Sequence, residues 1–425
     1  MKGIIKKAAV MAAAALFITG CAKTVETYLP VSNTTVSPTE ITSSELTETK
    51  TAKTVISTAE AATAAEAATN RIEPLRSEKV SIHIVAAGDN LIHSSLYEQA
   101  AARANHNGYD FDYEYANVAG YIAEADIAIL NQETLICNDI VPPSTYPCFN
   151  SPNALGDHMI DIGFDVFTMA NNHVLDKHES GLNACLDYWD SHPEAVVLGA
   201  YRNEEDKENI RILEESGVAF SFLSYTESTN GLSLPSDSEL VIGDANDIDS
   251  MVEDIKKAKE ISDLCIVSLH WGVEDSNVIS DYQRNTAKRL ADAGADVIVG
   301  THPHVLRDIE WIEREDGSRM LCAYSLGNFV SAQSKRPNLI GGVLDFYVES
   351  ENGENPHITD VSLIPTIQHY DRNYANNRVY FYYQYDSELA AKHGINSSAS
   401  WTMDYIDGVI DSAVNKEFLR KTPIT

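Results

Sequence analysis

Five short apolar runs in this chain each end in a small polar group carrying Asp, Glu, Asn or His. Residues 80–87 end in Gly88-Asp89, and residues 126–130 end in Asn131-Gln132-Glu133. Residues 165–170 lead into Asn171-Asn172-His173, and residues 264–269 end in His270-Trp271-Gly272. Residues 297–300 lead into Thr301-His302-Pro303-His304. Further strand-like runs cover 196–198, 218–225, 320–325 and 342–348. Amphipathic segments at 94–104, 116–124, 151–162, 179–190, 245–260 and 281–293 read as helices, with Ser151 and Asp281 as N-caps. Strands separated by helices predict an α/β fold with much parallel sheet. In such folds chemistry gathers beyond the carboxyl ends of the strands.

Each polar group has a chemical reading and a plain one. In extended backbone His302 and His304 point the same way, and Pro303 stiffens the turn between them. Two neutral imidazoles on one face make a metal-ligand pair, and equally a structural pair. His270 alone reads as readily as a hydrogen-bonded strand edge. The Asn172 carboxamide oxygen can coordinate a metal while His173 reaches a leaving group, although Asn-rich turns are common at strand ends. Asp89 and Glu133 offer hard anionic oxygens, and His93 follows Asp89 by four residues. Five such groups at the same kind of position point to one shared site.

The ordered set Asp, Glu, Asn-His, His, His-x-His resembles the calcineurin-like metallophosphoesterases. Adding Gly294-Ala295-Asp296 and Tyr324-Ser325-Leu326-Gly327-Asn328-Phe329, the chain is similar, over about residues 80 to 345, to the bacterial capsule-synthesis CapA family (the PGA_cap domain). That resemblance implies a metallophosphoesterase-like sandwich of two mixed β-sheets flanked by helices, and a link to poly-γ-glutamate or a related surface polymer. It implies two divalent metal ions (Mn, Fe or Zn). Asp89 and Glu133 would be the acidic ligands, one of them bridging. Asn172, His270 and His302 would hold one ion and His304 the other. His173 would be the catalytic residue at the leaving group. The chain departs from the phosphoesterase pattern twice. Asp-x-His becomes Asp89 with His93, a further candidate ligand, and Gly-Asp becomes Asn131-x-Glu133. Asn328 reads as a turn residue.

The N-terminus points to export. Lys2, Lys6 and Lys7 precede an apolar run over residues 8–19 that is too short to span a bilayer, and Ile18-Thr19-Gly20-Cys21 resembles a lipobox. The expectation is a signal peptide over 1–20 and lipidation of Cys21, tethering the protein to the outer face of the cell membrane. Residues 21–78, rich in Thr, Ala, Ser and Glu, read as a flexible stalk. Residues 79–370 read as the CapA-like domain, and 371–425 as its C-terminal elaboration. Cys137 and Cys148 flank a Pro-rich loop and are disulfide candidates in an oxidising location.

Charge narrows the partners. The formal net charge is −32, and residues 22–79 contain eight Glu against six Lys+Arg, so the acidity belongs to the folded part. Such a surface repels nucleic acid. The family resemblance implies as partners a polyanionic surface polymer or its precursor and other capsule-synthesis membrane proteins, and the N-terminus implies the membrane through Cys21. The polyanion would need bridging cations. Three functions compete: a metal-dependent hydrolase-like enzyme, a non-catalytic polymer-binding or export accessory protein, and a general extracellular metallophosphoesterase.

Overall fold

A computed structural model describes residues 54–56, 79–351 and 354–423. The chain runs β1 Thr54–Ile56, β2 Lys79–Asn90, α1 Ser94–Arg103, α2 Asp112–Tyr115, α3 Ala119–Ala123, β3 Ile127–Gln132, α4 Asn153–Asp161 and β4 Val166–Thr168. It continues with α5 His178–Asp190, β5 Val196–Leu198, β6 Ala200–Tyr201, α6 Glu204–Glu208, β7 Arg211–Glu215, β8 Val218–Thr226 and β9 Val241–Ile242. Next come α7 Ile248–Ile261, β10 Leu264–His270, α8 Asp281–Ala293, β11 Val297–Thr301, β12 Ile309–Glu313, β13 Arg319–Ala323 and β14 Asn328–Val330. The last elements are β15 Ile340–Glu351, β16 His357–His369, β17 Arg378–Phe381, α9 Ser387–Lys392 and α10 Met403–Ala413.

Two mixed sheets result. The first has the order β1-β7-β8-β10-β11-β13-β12, with β8, β10, β11 and β13 parallel. The second has the order β17-β16-β15-β2-β3-β4-β5, with β2 to β5 parallel and β14 also pairing with β2. Alternation along each strand decides which face meets which layer. Ile82, Ile84 and Ala86 of β2 pack between the sheets with Leu264 and Ile266 of β10 and Val297 and Val299 of β11. The intervening Val85 and Ala87 face the layer containing α1, α4 and α5. Cys265, Val267 and Ile298 face α7 and α8. Strands buried on both faces read as continuous apolar runs, which is why these were visible in the sequence. The expected fold class, a sandwich of two mixed sheets flanked by helices, is the one observed.

Local readings need correction. Within the expected stalk, Thr54–Ile56 forms an edge strand antiparallel to β7; its Thr-Val-Ile sequence suits a strand. The rest of that segment, the signal peptide and Cys21 lie outside the described residues. The expected helix over 116–124 is only α3, with α2 before it. The cap of α4 is Pro152, while Ser151 instead pairs its hydroxyl with Thr134 at 2.7 Å. The cap of α8 is Ser280, which forms a capping box with Gln283. Cys137 and Cys148 are not joined. The Cys137 thiol is buried and donates to Asn150 Oδ1 at 3.1 Å.

Residues 371–423 belong to the same packing. Trp401, Ile406, Ile410 and Phe418 join Leu344, Phe346 and Leu363 of β15 and β16. The layer between the sheets carries most of the apolar burial, so truncating it should be costly. Ile266→Ala is expected to lower unfolding free energy by about 2–5 kcal/mol, read from the urea midpoint with an unchanged slope.

Candidate metal centre

The parallel strands of both sheets deliver their carboxyl ends to one place. Asp89 and Glu133 come from β2 and the residue after β3. Asn172 comes from the turn after β4, His270 from the end of β10, and His302 and His304 from the turn after β11. All these side chains are buried or nearly so.

Asp89 is the most heavily engaged. Its Oδ1 accepts from Asn131 Nδ2 at 2.8 Å, and both oxygens lie 3.3 Å from the His302 amide. His304 Nδ1 lies 3.1 Å from its Oδ2. The backbone amide of Asp89 donates to Gly327 O at 3.0 Å. Behind it, Tyr115 Oη donates to Asn90 Oδ1, Asn90 Nδ2 to Gln132 Oε1, and Gln132 Nε2 to Thr134, all buried.

A second group of atoms converges beside the first. His270 Nε2 faces Asn172 Oδ1 at 3.0 Å, His302 Nδ1 at 3.1 Å and Glu133 Oε1 at 3.7 Å. The other nitrogen of His270 is fixed by Thr301 Oγ1 at 3.0 Å. Glu133 Oε1 is also 3.8 Å from His304 Nε2, so this carboxylate stands between the two groups. Ligand atoms of Asp89, Glu133 and His304 all lie within 4.8 Å of one another.

His302 and His304 converge on the site, but not by strand alternation. β11 ends at Thr301, and both histidines adopt left-handed backbone, with φ of 93° and 59°. Their rings turn to different partners, His302 to His270 and His304 to Asp89. Left-handed backbone at non-glycine residues costs of order 1–3 kcal/mol and collects at functional sites.

The residues fit a cation. Both carboxylate oxygens of Glu133 are buried without a hydrogen-bond partner among the described residues. A carboxylate desolvated in this way is unfavourable unless a positive charge accompanies it. Burial, and then the Asp89 charge, raise Glu133 well above the usual carboxylate range. Burial pulls the His304 imidazolium down, but Glu133 and Asp89 outweigh it and hold His304 up at about 10. Burial and the neighbouring His304 lower His302 to about 4, and burial lowers His270 well below its ordinary value. The cluster therefore holds positive charge beside its two carboxylates and keeps two imidazoles neutral. Neutral imidazoles and ionised carboxylates are the forms that bind metal, so the extra proton on His304, and any on Glu133, would have to leave as a cation enters.

His173 stands at the rim, close enough for its charge to act on His93, His270 and His302. Its amide donates to Asn171 Oδ1, and its Nδ1 meets Asp176 Oδ2 at 2.7 Å. Phe149 packs edge-on against its ring at 4.8 Å. His93 does not join the converging atoms. Its Nδ1 lies 3.0 Å from Leu91 O and accepts from the Ala332 amide, and burial lowers it to about 4. Two residues escaped the sequence reading. Asp176, three residues after His173, orients that ring, and the spacing was its one signal. Asn328, read as a turn residue, brings its Oδ1 to 3.0 Å from His304 Nδ1.

The site is a set of His, Asn and carboxylate donors gathered at the strand ends of a two-sheet α/β sandwich. Residues 83–333 match the family model described as bacterial capsule synthesis protein PGA_cap, and the chain belongs to that family. It is 30% identical over 204 residues to the PGA biosynthesis protein CapA of Bacillus subtilis, covering 48% of this chain and 52% of that protein. It is 29% identical over 235 residues to the capsule biosynthesis protein CapA of Bacillus anthracis, covering 53% of this chain and 56% of that protein. The chain thus spans about half the length of the curated relatives it matches. Among solved structures it is similar to the NAD nucleotidase of Haemophilus influenzae, with a TM-score of 0.40 at 13% identity, over 82% of this chain and 58% of that one.

Asp176 accepts from both the Phe149 amide, at 2.6 Å, and the His173 side. Asp176→Leu would leave both groups without that acceptor. The expected loss is about 1–3 kcal/mol for each orphaned group, measured by denaturant unfolding of the metal-free protein.

Proposed function

We propose that this chain is a surface lipoprotein of the CapA type, acting in the biosynthesis or anchoring of a capsule or poly-γ-glutamate polymer through a metal-dependent hydrolase-like site. The observation that carries the metal part is the Glu133 carboxylate, buried with unpartnered oxygens between His270 and His304. The family match and the relatives' names support the polymer part.

Glu133 stands beside two groups of residues that would each hold a cation. One is formed by Asn172, His270 and His302, the other by Asp89 and His304. This mixture of imidazole, amide and carboxylate suits Mn, Fe or Zn. Divalent ions there would supply Lewis-acid charge neutralisation to an anionic group under attack. His173, held through Nδ1 by Asp176, keeps its Nε2 for a proton at the leaving atom. Phe149 packs edge-on against the ring. The acidic domain favours a polyanion only at a place where cations offset its charge. The His173–Asp176 pair favours hydrolysis over passive polymer binding, because a binding protein needs no proton donor there.

Incubation with Mn²⁺ should load the full chain and raise its stability, by about 2.7 kcal/mol at a hundredfold excess over Kd. Glu133→Gln should abolish both effects. His173→Ala should keep the metal yet lose about 10²–10⁴ of any turnover. Cleavage of γ-linked glutamate oligomers supports the polymer reading, and cleavage of an aryl phosphodiester alone supports a general phosphoesterase. An unsubstituted chain that retains less than about half an equivalent of metal by elemental analysis ends both enzyme readings. Separately, Cys21→Ser should move the protein from the membrane fraction to the soluble one. Continued membrane association contradicts the lipid anchor.

A further inference from the structure

We propose that Asn328 is a metal ligand, its Oδ1 completing the position formed by Asp89, Glu133 and His304; this rests on the metal reading above.

The path of the chain places it there. β13 belongs to the first sheet, whereas β14 pairs with β2 in the second, so residues 324–327 cross between sheets. The crossing is pressed onto β2. Gly327 O accepts from the Asp89 amide at 3.0 Å, and a Cβ on Gly88 would come within 2.0 Å of that oxygen. Asn328 then stands opposite Asp89 in the strand register and is buried. A turn residue at the surface would need none of this.

The amide can point only one way. Asn328 Nδ2 donates to Gln333 Oε1 and to Asn338 O, each at 2.9 Å. Asn338 O is a pure acceptor, so a flipped amide would set oxygen against oxygen. Oδ1 is therefore directed at the cluster, 3.0 Å from His304 Nδ1. That nitrogen also faces Asp89 Oδ2 at 3.1 Å. An imidazole nitrogen carries at most one hydrogen, yet two oxygens address it. Donor atoms that crowd one another at this spacing suit a shared cation, since cis ligands about 2.1 Å from an octahedral metal stand about 3.0 Å apart. A neutral amide adds a hard oxygen without adding charge to a position that already has two carboxylates. It tilts the set toward Mn²⁺.

The test titrates the metal-free full chain with Mn²⁺, following binding calorimetrically and bound metal by elemental analysis. Asn328→Ala should weaken one of two ions about tenfold or more and leave the other unchanged. Asn328→Asp, which keeps an oxygen in place, should retain both. If Asn328→Ala binds both ions as the unsubstituted chain does, Asn328 is not a ligand, although the metal centre stands. If the unsubstituted chain binds no Mn²⁺, the metal reading itself falls, and this inference with it. Should Asn328→Ala fail to fold by circular dichroism, Asn328→Asp decides. A carboxylate in the place of a ligating amide should then tighten that one ion about tenfold or more, which upholds the proposal, and unchanged affinity for both ions, or loss of one, overturns it.

Discussion

Asp89 ties together backbone and side chains from both sheets at the strand ends. Its backbone ties β2 to the crossing segment at Gly327, and its side chain draws in Asn131, the His302 amide and His304. Those partners come from both sheets, so one carboxylate sets the spacing between two sets of strand ends. Asn90, Gln132, Thr134 and Tyr115 form a satisfied buried network behind it. A network of that kind fixes one geometry, because each polar atom loses its partner if the strand slips. Glu133 is the contrast: equally buried, and with no hydrogen bond to its side chain among the described residues. The fold thus holds one carboxylate rigidly in place and leaves the next one available.

The charge of the chain takes on a different meaning beside this site. A net −32 repels long anions, yet the strand ends gather metal-ligand side chains and one imidazole, His304, that is held positive. Local arrangement outweighs net charge at short range, since screening confines surface charges to about 8–10 Å in physiological salt. Under the proposed function, an anionic ligand would meet this acidic surface through cations held at the buried cluster.

Much of this was legible in the sequence, for physical reasons. Strands buried on both faces leave unbroken apolar runs, so β10 could be bounded to within one residue, and the polar group at its end marked the site. What failed was what depends on backbone turning and on distant partners. His302 and His304 looked like neighbours on a strand, but left-handed backbone aims them at different partners. The sequence could not show that the Nδ1 of His93 meets Leu91 O and the Ala332 amide, which leaves its Nε2 as the ring nitrogen that could face a cation. Asn328 looked like a turn because nothing in its neighbourhood of the sequence shows that the chain changes sheets there. The Thr-Val-Ile stretch of β1 sat in a polar surrounding that hid its pairing with β7.

The seam between the sheets has a mechanical consequence. Asn172 and Glu133 ride on one sheet and His270, His302 and His304 on the other, while the apolar layer of Ile84, Ile129, Ile266 and Val297 sets their separation. A cation gripped from both sides would act as a rivet at the open end of the sandwich, and the packed layer as its hinge. Small slippage of one sheet over the other would then loosen the rivet long before it disturbed the core. The site doubles as a strain gauge for the alignment of the two sheets.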